Sequence, residues 1–340
     1  MLFKKILLAV CSIFLFNIVH AQIKIVRENE QKAFPENMPA GNYSGITYIG
    51  GNEYAIVSDK SEEDGFYLFS IDIDSITGEI INVAEKAFLS DSLYGGDCEG
   101  IAYRHSTSTF YVCREADATV VELDSIGKNT GRSLSIPDVY KHGIGNYGLE
   151  SLAYDNESRL FWTINESTLV CDGRQAASTN AVRNVLRLQS FSDDLQPQLQ
   201  YAYMMDAPTI HSKSSEYAMG VSEIAAIGNG RLLVMEREFF VPRAKLGAFV
   251  TCKLYEIAPN ESFAIAPYTP VDKMFFLPKR LVHSFTTKLN VFDRSLANYE
   301  GMCLGPTLKD GSKVLVLVSD SQNRFRGVLK DWFKTIVLQD

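Results

Sequence analysis

Short apolar runs separated by turn-forming residues recur along the whole chain, and each pair of runs predicts a β-hairpin. The stretch 98–124, CEGIAYRHSTSTFYVCREADATVVELD, shows the pattern. An acid beside a glycine opens an apolar run, a turn follows, and a second apolar run leads to Glu115. The same pattern returns in four other stretches, 43–59, 149–166, 221–237 and 299–320.

Further strands are predicted after most of these hairpins. Third strands are expected at 66–73, 118–123, 185–191 and 249–257, and fourth strands at 79–84 and 199–205. Repeated units of three or four antiparallel strands are typical of propeller blades. The pattern therefore predicts an all-β fold, a β-propeller with five visible repeats and five or six blades.

The ends of the chain and its long inter-repeat segments complete this prediction. A strand at 23–27 and a strand at 335–338 are expected to pair and close the ring, which hides the sheet edges. Insertion loops are expected at 206–218 and 260–279, on one face of the ring. Because closure buries every edge, we expect a monomer.

The N-terminus has a different character from the rest of the chain. Lys4 and Lys5 precede an apolar stretch at 6–19, and Val19-His20-Ala21 resembles a signal-peptidase cleavage site. We therefore expect a signal peptide at 1–21 and one propeller domain at 22–340, exported to the periplasm or the extracellular space. Cys11 hints at a lipoprotein signal, but Val10 before it argues against one.

Composition excludes several classes of partner and leaves the cysteines open. The chain has 340 residues, 46% of them hydrophobic, and a net charge of −8, which disfavours nucleic acid as a partner. No other segment is apolar enough to cross a membrane. Five cysteines remain after Cys11, and we expect buried thiols. Cys98 and Cys113 flank one hairpin and are the pair that a disulfide would join.

Acidic residues recur at the ends of the predicted strands, where a propeller would gather them at one mouth of its central channel. One set is Glu99, Glu150 and Glu300, with Ser44 and Ser222 at the matching places and Glu223 one position later. The other set is Asp59, Glu115, Glu166, Glu236 and Asp320.

Clustered carboxylates repel one another unless they find cations, protons or hydrogen-bond donors. Ca²⁺ or Mg²⁺ accepts such hard oxygen ligands. Arginine is the other solution, and Arg114, Arg237 and Arg324 all lie next to the acids in sequence. A third reading is that each acid only caps its own blade by accepting backbone N–H groups.

Four motifs in sequence order resemble the phytase-like domain family, which is named for an esterase-like activity of phytase and contains mostly exported bacterial propellers. They are GDCEGIAY, NYGLESLAYD, GVSEIAAIGNGRLLVMERE and ANYEGMCLGPTLKDGSKVLVLVSDSQNRF, within residues 40–325. The acids of the family's EG motif fall on Glu99, Glu300 and Glu150, and its ER pair falls on Glu236 and Arg237.

The chain departs from the family pattern at three places. Ser151 replaces a glycine, Cys98 stands where a proline is common, and the late segment 319–323 lacks its second acid. These departures bear on whether a full set of cation ligands is present.

The resemblance and the acids together suggest a metal-assisted phosphoric ester hydrolase. Ca²⁺ would bridge the phosphate of a small ester and activate a water, with no covalent nucleophile, which suits a chain without a GxSxG motif. The expected catalytic residues are Glu99, Glu150, Glu300, Glu236 and Arg237. The expected metal ligands are Glu99, Glu150, Glu300, Asp320 and Asp59. The expected substrate-binding residues are Arg114, Glu115, Glu166, Asn323 and Arg324.

The alternative is a propeller that binds a glycan, a sugar phosphate or a cell-envelope ligand without catalysis. Stacking walls would then come from Tyr43, Tyr147, Phe239, Phe240 and Tyr299. Other chemistries have weaker support. His105, His142, His211 and His283 have no serine or aspartate at a telling spacing, and no zinc or nucleotide-binding motif appears.

Overall fold

The computed structural model describes residues 22–340 apart from 60, 62, 92–96, 143–147, 272–274, 291 and 293. The expected signal peptide at 1–21 lies outside this range. Twenty-two strands form five antiparallel sheets, and no α-helix occurs among the described residues. Short 3₁₀ helices lie at Asp138–His142, Glu261–Phe263 and Phe325–Gly327. No described helix has the length and apolarity to span a membrane.

The five sheets are the blades of a β-propeller, which confirms the predicted fold and fixes the number of blades at five. The innermost strands of successive blades contact one another around a closed ring. Blade 1 comprises β3 (Tyr43–Gly50), β4 (Glu53–Ser58), β5 (Gly65–Ile73) and β6 (Ile80–Ser90). Blade 2 comprises β7 (Cys98–Arg104), β8 (Thr109–Arg114), β9 (Thr119–Leu123) and β10 (Asn129–Ser133).

Blades 3 and 4 follow the same meander, and each places its first strand innermost. Blade 3 comprises β11 (Ala153–Asp155), β12 (Leu160–Ile164), β13 (Val185–Phe191) and β14 (Pro197–Met204), with the short β18 (Ala264–Ile265) at its outer edge. Blade 4 comprises β15 (Ser214–Gly228), β16 (Arg231–Pro242), β17 (Ala248–Ile257) and β19 (Lys279–Leu289). The long β15 therefore begins inside the expected insertion at 206–218.

Blade 5 closes the ring with strands from both ends of the chain. It comprises β20 (Asn298–Thr307), β21 (Lys313–Asp320), β22 (Trp332–Gln339) and the N-terminal β1 (Lys24–Glu28). The short β2 (Lys32–Ala33) also pairs with β22. Antiparallel pairing of β1 with β22 confirms the predicted closure.

Apolar side chains fill the space between neighbouring blades, so the propeller has five inter-blade cores rather than one. Strand β21 shows how the sequence achieves this. Its alternate valines, such as Val316, pack toward blade 1, whereas Leu315 and Leu317 pack toward blade 4. A continuous apolar run is what a strand buried on both faces requires. Each such side chain contributes about 1.5–3 kcal/mol on burial.

Four of the cysteines pack in these inter-blade cores, and none of the described cysteines forms a disulfide. Cys98, Cys113, Cys252 and Cys303 are buried thiols, and Cys171 is an exposed one. Cys98 and Cys113 lie on neighbouring strands, but each is paired with another residue, Arg114 and Gly100 respectively. The expectation of buried thiols is confirmed for four of the five cysteines and is wrong for Cys171, and the disulfide between Cys98 and Cys113 is absent.

Candidate active site at the channel mouth

A β-bulge recurs at one end of the inner strands, and its extra residue is the repeated acid or serine. The register shifts by one residue at Ser44, Glu99, Ser222 and Glu300. In blade 3 the register also changes between Leu149 and Ala153, the interval that contains Glu150. A bulge re-aims a side chain. The repeated bulge therefore directs the first set of residues to one mouth of the channel.

The glycine of the EG motif has a packing role beside this bulge. A Cβ added at Gly45 would lie 2.6 Å from the carbonyl oxygen of Glu99, and one at Gly100 would lie 2.8 Å from that of Glu150. Only a glycine lets the neighbouring inner strand pass so closely. In blade 4 the residue after the bulge is Glu223 instead.

The second set of residues follows the second strand of each blade and faces the same mouth. Asp59, Glu115 and Glu166 donate their backbone N–H groups to the residues opposite them, and Asp320 pairs with Asn298. In blade 4 the equivalent position, opposite Gly220, holds Arg237. The strand-end pattern predicts Glu236 at this position, but the register places Arg237 there and Glu236 one residue earlier.

Arg237 is buried at the centre of one side of the mouth, which we call the arginine side and define by Arg237, Glu150, Glu166, Asn298 and Glu300. Its guanidinium donates to Glu166 at 2.8 Å, to the side-chain oxygen of Asn298 at 2.9 Å, and to Glu300. Asn298 in turn donates to Glu300 at 2.7 Å. Burial opposes the charge on Arg237, but the carboxylates of Glu300, Glu166 and Glu150 raise its pKa.

Glu150 and Glu166 form a carboxyl pair within the arginine side. Burial raises the pKa of Glu150 well above its usual value, and the charge on Glu166 raises it further. A hydrogen bond with Glu150 and the charge of Arg237 both oppose the effect of burial on the pKa of Glu166. Charge on one carboxylate of the pair therefore disfavours charge on the other.

Three carboxylates gather on the other side of the mouth, which we call the acidic side and define by Asp59, Asp97 and Glu99. One oxygen from each lies within 4.8 Å of the other two. Burial raises the pKa of Glu99 well above its usual value, and Asp59 and Glu300 raise it further. In the described part of the chain, these three oxygens lie close enough together to be ligands of one cation.

Asp320 and Glu115 lie between the two sides. Burial and the charge on Glu300 raise the pKa of Asp320 to about 8, although the backbone N–H of Gln322 donates to its carboxylate. Glu115 accepts a hydrogen bond of 2.8 Å from the backbone N–H of Gly148 and adds to the negative charge felt by Glu99. Asp320 therefore interacts electrostatically with Glu300 on the arginine side and with Asp59 on the acidic side, and Glu115 interacts with Glu99.

A family model described as "Phytase-like: Esterase-like activity of phytase" matches residues 38–322, most of the chain. The chain belongs to the phytase-like family. None of the curated proteins matches it. Solved structures similar to the chain include streptogramin B lyase, with 10% identity, a TM-score of 0.37, and coverage of 92% of this chain and 98% of that one.

Two further similar structures are a luciferin-regenerating enzyme and virginiamycin B lyase from Staphylococcus aureus. The first has 11% identity and a TM-score of 0.41, and the match covers 90% of this chain and 94% of that one. The second has 11% identity and a TM-score of 0.33, with coverage of 93% and 99%. Similarity at this level supports no inference about activity.

In this phytase-like chain, Glu236 belongs to a network separate from the mouth. Successive residues of a strand face opposite ways, so Glu236 points away from the side that Arg237 occupies. Its carboxylate accepts from the Tyr203 hydroxyl at 2.7 Å, from the backbone N–H of Asp206 at 3.0 Å, and from Lys279. Burial raises its pKa, and Lys279 opposes that rise.

The predicted anion-binding residues outside the arginine side have partners within the protein. Arg114 donates to Asp64 at 2.9 Å and to Asp117. Arg324 donates to Asp331 at 2.5 Å and to the carbonyl oxygen of Met38 at 2.9 Å. Asn323 is exposed, and its backbone N–H donates to Gly41. The structure does not bring these three side chains to Arg237.

Two residues of the mouth were not predicted from the sequence. Both precede the bulged residue of their inner strand by two positions. Asp97 lies opposite Glu115, and Asn298 lies opposite Asp320. The signal was present in the spellings DCEG and NYEG, where a polar residue stands two positions before the glutamate.

The aromatic residues expected as stacking walls are mostly packing residues. Tyr43 and Tyr299 are fully buried between blades, and Phe240 is nearly so. Phe239 is partly buried and borders a cavity described below. Tyr147 lies outside the described residues.

Glu223 follows the blade 4 bulge and is buried beside the inner strand of blade 3. Its Oε1 accepts hydrogen bonds from the backbone N–H groups of Leu152 at 3.2 Å and Ile224 at 3.0 Å. Its other oxygen, Oε2, is buried and has no hydrogen-bond partner among the described residues. Beyond it, at the far end of the channel, lies a cavity of about 320 Å³ that all five inner strands line.

Proposed function

We propose that this chain is an exported, Ca²⁺-assisted phosphoric ester hydrolase whose site is the channel mouth. One observation carries the proposal: carboxylate oxygens of Asp59, Asp97 and Glu99 lie within 4.8 Å of one another, at the mouth that also holds Arg237. Membership in a family described by an esterase-like activity of phytase supports the choice of substrate class. The proposed export rests on residues 1–21.

The acidic side suits a hard divalent cation. Ca²⁺ takes oxygen ligands at 2.3–2.6 Å, so two ligands of one ion lie at most about 5 Å apart. The separation of up to 4.8 Å among Asp59, Asp97 and Glu99 meets that limit. Burial is the main cause of the raised pKa of Glu99, and repulsion of its ionised form by Asp59 and Glu300 adds to it. When bound, Ca²⁺ would supply charge neutralisation and polarisation of a phosphoryl oxygen.

The arginine side supplies proton and charge chemistry from the chain itself. Arg237 is held by Glu166, Asn298 and Glu300, so its orientation is fixed before a substrate arrives. A preorganised cation favours the negative charge that develops on a transferring phosphoryl group. We assign Glu150, whose pKa burial raises well above its usual value, as the donor of a proton to the leaving oxygen.

A propeller that binds without catalysis is the second candidate, and one observation favours it. Arg114 and Arg324, two of the three arginines expected to face the substrate, are engaged by Asp64, Asp117 and Asp331. Phosphoryl transfer usually draws on several cationic groups. A mouth with one arginine is sufficient to hold an anionic or cation-bridged ligand.

The test is phosphate release by the purified mature chain from a panel of phosphate esters, with Ca²⁺ and with EDTA. We expect release that depends on Ca²⁺ and that falls at least 100-fold in Glu300→Gln and Glu99→Gln, on the scale of losing a transition-state contact. Glu261→Gln, at an exposed distant glutamate, is the control. Unchanged circular dichroism must accompany each variant.

The same samples separate the two candidates. If no ester is hydrolysed but Ca²⁺ raises the melting temperature, the hydrolase proposal fails and the binding role is favoured. If Ca²⁺ leaves both the release and the melting temperature unchanged, the cation site itself is refuted.

A further inference from the structure

A mostly apolar cavity of about 250 Å³ opens on the mouth side of the propeller, between blades 4 and 5. Blade 4 contributes Phe239 and Leu289 to its wall, and Leu296 lies on the segment that leads into blade 5. The loop after β21 contributes Phe325 and Val328. None of the residues of the acidic side lines it.

The cavity and the mouth share two wall residues, Asn298 and Asp320. Asn298 is the residue that accepts a hydrogen bond of 2.9 Å from Arg237 and donates one of 2.7 Å to Glu300. Asn298 therefore lies between Arg237 and the cavity. A ligand with an anionic group beside Arg237 can extend past the Asn298 side chain into the cavity.

The loop that carries Phe325 and Val328 is held in a costly backbone conformation. Gln322, Asn323, Arg324 and Arg326 all have φ between 49° and 54°, in the left-handed region that side chains other than glycine rarely adopt. Such strain persists only where the surroundings impose it, and it concentrates at ligand sites. Arg324 is anchored through Asp331 and through a hydrogen bond of 2.8 Å from its backbone N–H to Ser321.

This anchoring presents apolar side chains to the solvent instead of burying them. Phe325 is 48% exposed and Val328 is 39% exposed, although both border an apolar cavity. Apolar groups at the rim of a concave site are a feature of ligand pockets.

We propose that the cavity binds the apolar part of an amphiphilic phosphate ester, such as an aromatic ring, while the phosphate lies in the mouth. The inference rests on the proposed function for the phosphate. An apolar cavity of about 150 Å³ is enough for benzene, so 250 Å³ accommodates a substituted ring. Lys245 and Arg326 also line the cavity and can pair with an anionic substituent, but a compact polyphosphate would leave the apolar walls uncovered.

Binding of two phosphonates to the mature chain with Ca²⁺ tests the proposal by calorimetry. Benzylphosphonate and methylphosphonate share the anionic group and differ by the ring. We expect benzylphosphonate to bind about tenfold more tightly, as burial of one ring predicts. Phe325→Ala, which removes a wall, and Val328→Trp, which fills the cavity, should each reduce that difference to about twofold or less. Phe275→Ala, at a side chain 86% exposed, should leave it unchanged.

Equal affinity for the two phosphonates, or a preference that survives both cavity variants, would overturn the apolar subsite. Failure of benzylphosphonate to bind would overturn it as well. Hydrolysis is scored separately with phenyl phosphate and methyl phosphate. A binding preference without phosphate release retains the subsite and removes the hydrolase proposal. Release from both esters at equal kcat/KM retains the hydrolase proposal and removes the subsite.

Discussion

Arg237 donates a hydrogen bond of 2.8 Å to Glu166, the residue that holds the equivalent register position in the preceding blade. Four blades place an acid at this position, and blade 4 places an arginine there. The exception gives the mouth a buried cation of its own, and it divides the ring of acids into an arginine side and an acidic side.

Replacing Arg237 should destabilise the protein strongly. In Arg237→Met, Glu166 and Glu300 lose the buried cation that now receives their charge. Removing one partner of a buried ion pair typically costs about 3–5 kcal/mol, because the other charge stays buried. We expect a loss of that size in the free energy of unfolding, measured by urea denaturation in EDTA.

The matched control for this loss is Arg174→Met, at an exposed arginine on another part of the surface. We expect a change within about 0.5 kcal/mol there. If the two variants lose the same stability, Arg237 does not act as the resident cation of the mouth.

Asp97 should behave as a cation ligand, although it is not among the ligands predicted from the sequence. Asp97→Asn retains the shape of the side chain but removes one negative charge from the acidic side. Because ligand charge sets Ca²⁺ affinity, we expect the Ca²⁺ concentration for half of the thermal stabilisation to rise about tenfold. The measurement is the melting temperature across a Ca²⁺ titration, with the exposed Asp194→Asn as control. Identical titrations for the two variants would argue that Asp97 binds no cation.

Glu236 should matter for stability and not for catalysis, which reverses the role expected from sequence. Its carboxylate accepts hydrogen bonds from Tyr203, from the backbone N–H of Asp206 and from Lys279. It points away from Arg237. In Glu236→Gln we expect a loss of about 1.5–3 kcal/mol in the free energy of unfolding, the range for hydrogen bonds to a charged group.

Phosphate release per folded molecule distinguishes the two roles. Glu236→Gln should stay within about threefold of the wild type, whereas Glu300→Gln should lose nearly all release. A deficit in Glu236→Gln as deep as that of Glu300→Gln would return Glu236 to the active site.

The blades were predictable because their signals are local. The apolar run of β21 and the Gly228-Asn229-Gly230 turn after β15 specify strands and a hairpin from a few neighbouring residues. Repetition of such hairpins then indicates a propeller, and the pairing of β1 with β22 follows from the need to hide sheet edges.

The site was only partly predictable because its decisive contacts join residues far apart in sequence. Glu236 matched the acid expected at the end of a strand, yet the register places Arg237 opposite Gly220. Adjacency in sequence suggested that Arg114 faces the ligand, but its partner Asp64 lies in another blade segment. Side-chain partners of this kind depend on blade packing, which a single sequence does not display.

Glu223 gives the last prediction, a pH dependence of stability. Burial raises its pKa well above the usual value, while the backbone N–H groups of Ile224, Leu152 and Met302 oppose that rise. Its folded-state pKa is therefore above its unfolded-state pKa. Its contribution is fully present below the unfolded-state pKa and is lost as pH rises through the folded-state pKa. Between those two pKa values the wild type should lose up to about 1.4 kcal/mol per pH unit through this group.

Glu223→Gln isolates that loss, because the amide cannot ionise and keeps an oxygen for the backbone N–H groups. Urea denaturation of both proteins in EDTA from pH 4 to pH 9 gives two profiles whose difference cancels the other carboxyls. We expect similar stability at the acidic end and a variant that becomes progressively more stable than the wild type as pH rises. A difference that stays constant across this range would mean that folding does not raise the pKa of Glu223. If the folded protein kept the proton throughout, the unfolded chain would still ionise and the difference would grow with pH.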